Sequence, residues 1–383
     1  MSKVALVMGT RPEAIKLAPL VKKLEQAEDL KGIVCSTGQH KQMLEQVFKI
    51  FDIEPDFDLG LMQQNQTLTG LTSRALTTLS QLFQEEKPDI VVVQGDTTTA
   101  FTGALAAFYH KIPVAHVEAG LRTHNLHSPW PEEGNRSLIG RLAQLHFAPT
   151  QWSANNLRQE NIADKDIIVT GNTVIDALLY VQEKLQSQEL TIDGIPSEVL
   201  KGNEQLVLIT GHRRESFGDG FKDICNAIVK LSERHPDTHF VYPVHLNPNV
   251  RKPVFDILGN TANQNIHLIN PLEYEPFVMM MQRSTLLLTD SGGVQEEGPS
   301  LGKPVLVMRE TTERPEGVEA GTVKLVGTDF NNIVETTTQL LEDRDAYEAM
   351  AKVKNPYGDG KASDRIVAEI RSYLNPTSKN TKN

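Results

Sequence analysis

Val4-Ala5-Leu6-Val7-Met8-Gly9-Thr10-Arg11-Pro12-Glu13-Ala14-Ile15-Lys16 carries three signals in succession. The unbroken apolar run reads as a strand of a parallel sheet covered on both faces. Gly9 allows a tight turn, and Pro12 suits the first turn of a helix. The same alternation continues outward. Strand-like runs lie at 33–36, 90–94, 114–118 and 167–170, and helical spacing at 15–26, 68–86 and 100–110. Such a βαβ series predicts a doubly wound sheet.

A helical stretch at 173–186 leads into 191–205, a loose segment with two Gly and one Pro that marks the crossover. The pattern then restarts, with strands at 206–210, 239–244, 267–269, 286–289, 305–308 and 323–326. Helical patterns at 221–234, 275–282 and 294–301 separate them. The expected fold is therefore α/β, with two Rossmann-like domains and a cleft between them. The first domain is assigned to 1–171 and the second to 172–361; a last helix at 362–373 joins the first, and a polar tail occupies 374–383. Ligands of open α/β sheets bind at the carboxyl ends of strands, which directs attention to the loops there.

Composition narrows the function class. A chain of 383 residues suits two cores rather than one. No apolar run approaches the roughly 18–20 residues that span a bilayer. The opening strand lacks the basic, apolar and small-residue pattern of a signal peptide, so a cytoplasmic location is expected. Cys35 and Cys225 read as small buried apolar groups and provide no disulfide framework. The net charge of -11 argues against nucleic acid. Any anionic ligand must then be held by a local pocket against the global field.

Several strand-to-helix loops carry candidate chemistry. Arg11 and Lys16 flank a helix start, where an anion is favoured. In Gln94-Gly95-Asp96-Thr97-Thr98-Thr99, Asp96 is a proton acceptor, a holder of sugar hydroxyls, or the cap of the next helix. His116 and Glu118 share a face by strand period, and burying that carboxylate costs several kcal/mol unless it is paired or its pKa moves. Glu132 lies in Pro131-Glu132-Glu133-Gly134-Asn135-Arg136, where it either serves the site or favours a helix N-terminus. Gly211-His212-Arg213-Arg214-Glu215-Ser216 offers guanidinium groups to a diphosphate. In Asp290-Ser291-Gly292-Gly293-Val294-Gln295-Glu296-Glu297-Gly298-Pro299, backbone amides at a helix start suit a phosphate, and Glu297 suits ribose hydroxyls.

Taken in order, these six segments resemble the non-hydrolysing UDP-N-acetylglucosamine 2-epimerases over about residues 3–373. The resemblance implies a fold like that of the GT-B glycosyltransferases, a homodimer, and a final helix returning to the N-terminal domain. It implies interconversion of UDP-GlcNAc and UDP-ManNAc with no cofactor, neither NAD nor a metal. Asp96, Glu118 and Glu132 match the family's proposed catalytic acids, and His212 joins them near the diphosphate or sugar. Arg11, Lys16, Ser291, Gly292, Gly293, Glu297 and Arg314 match substrate-binding positions, with Phe277 against uracil. Leu272 stands where members commonly carry a glutamine near the base. Thr37-Gly38-Gln39-His40-Lys41-Gln42-Met43 resembles a segment that binds a second, activating UDP-GlcNAc. Gln39, His40 and Gln42 are the matching positions there, with Arg213 and His245 as partners across the cleft.

The implied chemistry couples loss of the C2 proton to departure of UDP from C1. It therefore needs a proton acceptor, a donor and stabilisation of the leaving diphosphate. Alternatives on the same fold are a hydrolysing 2-epimerase releasing ManNAc and UDP, or a glycosyltransferase. A metallohydrolase would need His116, Glu118, Asp96 and His212 as ligands, without any compact motif of the HExxH kind. A non-catalytic UDP-sugar-binding regulator would not need the acids.

Overall fold

The computed structural model describes residues 1–38, 41–62, 66–186 and 191–376, and the backbone but not the side chains of Lys41 and Gln42. Two compact units form, one from Met1–Tyr180 with the chain from Tyr357 onward, the other from Val181–Pro356.

Unit 1 is built on β1 (Ser2–Met8), β2 (Leu30–Ser36), β3 (Phe57–Asp58), β4 (Ile90–Gln94), β5 (Val114–Val117), β6 (Leu145–Ala148) and β7 (Ile167–Val169). The sheet order is β3-β2-β1-β4-β5-β6-β7 and every pairing is parallel. Successive strands run outward from β1 on both sides, so the order reverses between β1 and β4. That is where a doubly wound sheet opens a crevice at its carboxyl edge. The loops leaving β1 and β4 are the Gly9–Lys16 and Gly95–Thr99 segments. Full burial explains the missing alternation: Val4, Leu6, Val7 and all of Ile90, Val91, Val92 and Val93 have no exposed surface.

Unit 2 repeats the design with β8 (Leu206–Thr210), β9 (His239–Pro243), β10 (Ile266–Ile269), β11 (Leu286–Thr289), β12 (Val305–Val307) and β13 (Val323–Leu325). Its order is β10-β9-β8-β11-β12-β13, again parallel throughout. Here the order reverses between β8 and β11, whose carboxyl ends lead into His212 and into Ser291-Gly292-Gly293. The helix Asp219–Arg234 buries Phe221, Ile224, Cys225, Ile228 and Leu231 in the same core as Phe240 and Tyr242. Cys35 and Cys225 are buried and free, and burial pushes both thiols up to about 12.

Differences from the sequence reading have local causes. β3 is only two residues long, and Leu-His-Phe-Ala of β6 hides a polar ring inside the sheet. The loose segment at 191–205 contains a short helix, Ser197–Lys201. The units divide at Tyr180/Val181 and Pro356/Tyr357, not at 171/172 and 361/362. The first turns of the helix Thr173–Leu185 belong to unit 1, because Val174 and Ile175 pack on Tyr357 and Tyr180 stacks on Phe51 at 5.0 Å. Asp176 of the same helix accepts from the backbone of Ala362 (3.2 Å) and Ser363 (2.7 Å), capping the start of the last helix, Ala362–Leu374. That helix lies on Arg11–Glu25, with Lys23 to Asp364 and Arg371 to Asp29 pairs at its rim. Among the described residues no helix is long and apolar enough to cross a membrane.

Candidate active site

Asp96 and Glu118, two of the acids expected to do proton chemistry, follow adjacent strands of unit 1. Asp96 sits one residue beyond the left-handed Gly95 at the end of β4. The cap of the next helix, Thr98–Tyr109, is Thr97, whose hydroxyl accepts from Ala100 at 3.0 Å. Asp96 is thereby free of capping duty, and its carboxylate pairs with Arg136 at 2.6 Å. Asn135 donates to the Asp96 carbonyl at 2.8 Å, so the helix Glu132–Leu142 grips the turn twice. Burial raises the Asp96 carboxyl above the ordinary aspartate range; the Arg136 guanidinium opposes the shift, and the charge of Glu118 adds to it. Glu132 opens that helix half-buried, and its charge also raises Asp96.

Glu118 does not continue the strand as its period suggested. β5 ends at Val117, and Glu118 adopts φ +64, a left-handed conformation that is uncommon outside glycine. Such strain persists only where the surroundings over-determine it, and it clusters at functional sites. The surroundings here are Lys16 at 2.5 Å, Asn172 at 3.2 Å and a short bond from the Gln94 amide. Lys16, expected at an anionic ligand, reaches this carboxylate with its ammonium. Arg11 is half-buried at the start of the helix, at the expected anion position.

Two buried carboxylates that the sequence reading passed over hold these loops. Glu13 accepts from the backbone of Gly9 (2.9 Å) and Thr10 (2.7 Å) and from the hydroxyls of Thr10 (2.8 Å) and Thr97 (2.5 Å). It ties the β1 loop to the β4 loop, and burial raises its own pKa. Glu133 accepts from the backbone of Thr123 and His124 and pairs with Arg136. The spacing of acid and helix start was the only available signal for either.

Unit 2 gathers the basic and glycine-bearing loops. Asp290, buried at the end of β11, accepts from the backbone of His212 (2.6 Å) and Arg213 (2.7 Å) and lies 3.3 Å from His212 Nδ1. These partners hold its carboxyl below the usual range despite burial. The His212 ring also stacks on His245 at 5.4 Å. Ser291 precedes the helix Gly292–Glu297. A Cβ on Gly292 would lie 2.5 Å from the Arg314 guanidinium, so only glycine lets Arg314 cover this turn. Arg314 is anchored by Glu296 at 2.7 Å. Glu297 is buried and accepts from the Tyr274 hydroxyl at 2.8 Å; Phe277 lies half-buried one turn along the same helix, Tyr274–Arg283. Arg309, unnoticed in the sequence, bonds Glu215 (2.5 Å) and Glu313 (2.9 Å), linking the loop after β8 to the loop carrying Arg314. Glu313 is held down at about 2 by Arg309 against its burial. Gln39 and His40 lie outside the described residues, as does the side chain of Gln42.

Comparison with known proteins places these features in a family. The family model described as UDP-N-acetylglucosamine 2-epimerase matches residues 22–371. The UDP-N-acetylglucosamine 2-epimerase of Escherichia coli strain K12 is 55% identical over 372 residues, covering 97% of this chain and 98% of that protein. A crystal structure of the UDP-GlcNAc 2-epimerase from Neisseria meningitidis bound to UDP-GlcNAc is 52% identical, with TM-score 0.88 over 97% of this chain and 100% of that one. A glycotransferase of kitacinnamycin shares only the fold, at 12% identity and TM-score 0.64 over 96% of this chain and 98% of that one.

Proposed function

The chain belongs to the UDP-N-acetylglucosamine 2-epimerase family, and from that membership we propose that it interconverts UDP-GlcNAc and UDP-ManNAc by eliminating and re-adding UDP. The observation that carries the chemistry is the pair of held carboxylates on the turns after β4 and β5, one of them strained into φ +64. A base removes the C2 proton as the C1–O bond breaks, giving 2-acetamidoglucal and UDP. A β-phosphate oxygen then adds to C1 while C2 takes a proton on the opposite face. Asp96, Glu118 and Glu132 supply the proton acceptor and donor. Burial raises the Asp96 carboxyl above its ordinary value, the direction that favours proton exchange by a general acid or base. His212, Arg11 and Lys16 meet the diphosphate or sugar; negative charge developing on the leaving group is stabilised by such fixed donors. Purified protein given UDP-GlcNAc alone should yield UDP-ManNAc and run backward from it. Free ManNAc with UDP would mean hydrolysis instead, and no reaction without an acceptor would mean a transferase.

The nucleotide is assigned to the β11 turn of unit 2, with Ser291, Gly292 and Gly293 at phosphate, Glu297 at ribose, Phe277 at uracil and Arg314 as a further contact. Glu297→Ala removes an acceptor and one partner of the buried Tyr274 hydroxyl. UDP binding should weaken by roughly 1–3 kcal/mol. Calorimetry showing unchanged UDP affinity with the fold intact would take Glu297 out of the ribose site.

Regulation by a second substrate molecule rests on the family resemblance of Gln39, His40 and Gln42, with Arg213 and His245. A ligand activates only through unequal affinity for two states. UDP-ManNAc alone should turn over poorly until a trace of UDP-GlcNAc is added, and Gln42→Ala should blunt that response. Full-rate conversion of pure UDP-ManNAc, with no lag, would exclude it. The same resemblance supports a homodimer, and two buried free cysteines suit a cytoplasmic location.

A further inference from the structure

We propose that His116 is a positioning residue for the proton chemistry, holding the turn that carries Asp96 against the strand that presents Glu118. The inference rests on the epimerase reading above and concerns unit 1 alone. His116 is fully inside the sheet on β5, with its Nε2 2.7 Å from the carbonyl oxygen of Gly95. A carbonyl only accepts, so the imidazole carries its proton on Nε2. The next residue of the same strand, Val117, accepts the N–H of Gly95 at 3.0 Å. The Gly95 residue is therefore clamped at both its polar groups by consecutive residues of β5. Gly95 itself is left-handed at φ +68 and Asp96 follows directly. Glu118 follows Val117. One ring and one carbonyl thus join the two acid-bearing turns.

The other face of the ring shows what this arrangement costs. His116 Nδ1 is buried and has no hydrogen-bond partner among the described residues. In the sheet register His116 lies beside His146 of β6, whose Nδ1 is likewise buried and unpartnered. Packing alone would favour an apolar side chain here, since a buried polar atom without a partner costs free energy. The bond to Gly95 is what a leucine would not provide. Burial, assisted by the charges of His146 and Arg122, lowers the His116 pKa to about 3, so the ring stays neutral and its one proton, on Nε2, is the one given to Gly95.

Three variants of the full chain test this assignment. The amide nitrogen of glutamine stands as many bonds from Cα as imidazole Nε2, whereas that of asparagine is one bond short. His116→Asn and His116→Leu should lower kcat roughly 10- to 100-fold, as displacement of an acid by about 1 Å does. KM and the affinity for UDP should stay within about 2-fold, because the groups assigned to phosphate, ribose and uracil lie on unit 2, and Arg11 and Lys16 stand on the helix after β1, which the His116 bond does not hold. His116→Gln should retain kcat within about 3-fold. If His116→Leu fails to fold, the Asn–Gln contrast decides alone. Equal losses in Gln and Asn, a collapse of UDP affinity along with kcat, or unaffected turnover in Asn would each overturn the assignment. Wild-type protein inert towards UDP-GlcNAc would remove the epimerase reading and this inference together, whereas active wild type with unaffected variants would remove this inference only.

Discussion

Glu118→Gln and Asp96→Asn are each expected to lower kcat for UDP-GlcNAc epimerisation by roughly 10²–10⁴-fold, the usual loss when a proton-transferring group is removed. Both substitutions keep the shape of the side chain, so the loss reports chemistry rather than packing. The carboxylate of Glu118 receives Lys16, Asn172 and Gln94. An amide there would accept fewer of these donors and would leave the ammonium of Lys16 facing a neutral group in a largely buried setting. At Asp96 the amide would lose the ion pair with Arg136 but keep the backbone bond from Asn135, which uses the carbonyl. The Asp96 turn should therefore stay in place, whereas Glu118→Gln also loosens the hold on the turn after β5, and a melt reports how far. Steady-state kinetics with a melting curve check this: folded variants with kcat within a few-fold of wild type would mean that neither group exchanges the C2 proton. Glu132→Gln belongs in the same series, because Glu132 shares the neighbourhood of Asp96.

Gly120→Ala should destabilise unit 1 by roughly 3–5 kcal/mol, combining strain at a disfavoured φ with overpacking against fixed backbone. Gly120 has φ +92, and a Cβ there would lie 2.2 Å from the carbonyl oxygen of Ser153 and 3.1 Å from Leu157. Neither neighbour yields easily, since Ser153 is in the helix Gln151–Gln159 and Leu157 is fully buried. The carbonyl of Gly120 is also fixed by Asn156 at 2.9 Å. Relief would have to come from the turn itself, two residues after Glu118. A thermal or urea melt should show the loss. A variant as stable as wild type would mean that this turn is far softer than its contacts imply.

All the strands of unit 2 and five of the seven in unit 1 were legible because burial on two faces writes them as runs of Val, Ile and Leu. All six strands of unit 2 lie where those runs stand. β6 was not legible, since His146 interrupts it for a reason found only in three dimensions. The division of the chain was read too early because the helix Thr173–Leu185 has one helical pattern but two sets of neighbours, and Tyr357, which anchors its start, is remote in sequence. In unit 1 the loops holding Asp96 and Glu118, and in unit 2 the loop holding His212, were visible as strand ends. Their supports were not. Lys16 facing Glu118, Arg136 facing Asp96 and Asp290 under His212 are pairings across strands, which local spacing does not encode. The left-handed backbone of Glu118 left no mark in the sequence either, because glutamate there looks like one more strand residue.

The most direct test of the elimination route is incubation of the wild-type protein with UDP-GlcNAc alone in D₂O, followed by NMR of every product. Removal of the C2 proton by a carboxylate and its return on the other face require exchange with solvent. UDP-ManNAc should form with deuterium at C2, and UDP-GlcNAc should gain deuterium as the reaction reverses. UDP-ManNAc carrying its original C2 hydrogen in full, or free ManNAc and UDP in its place, would contradict the account.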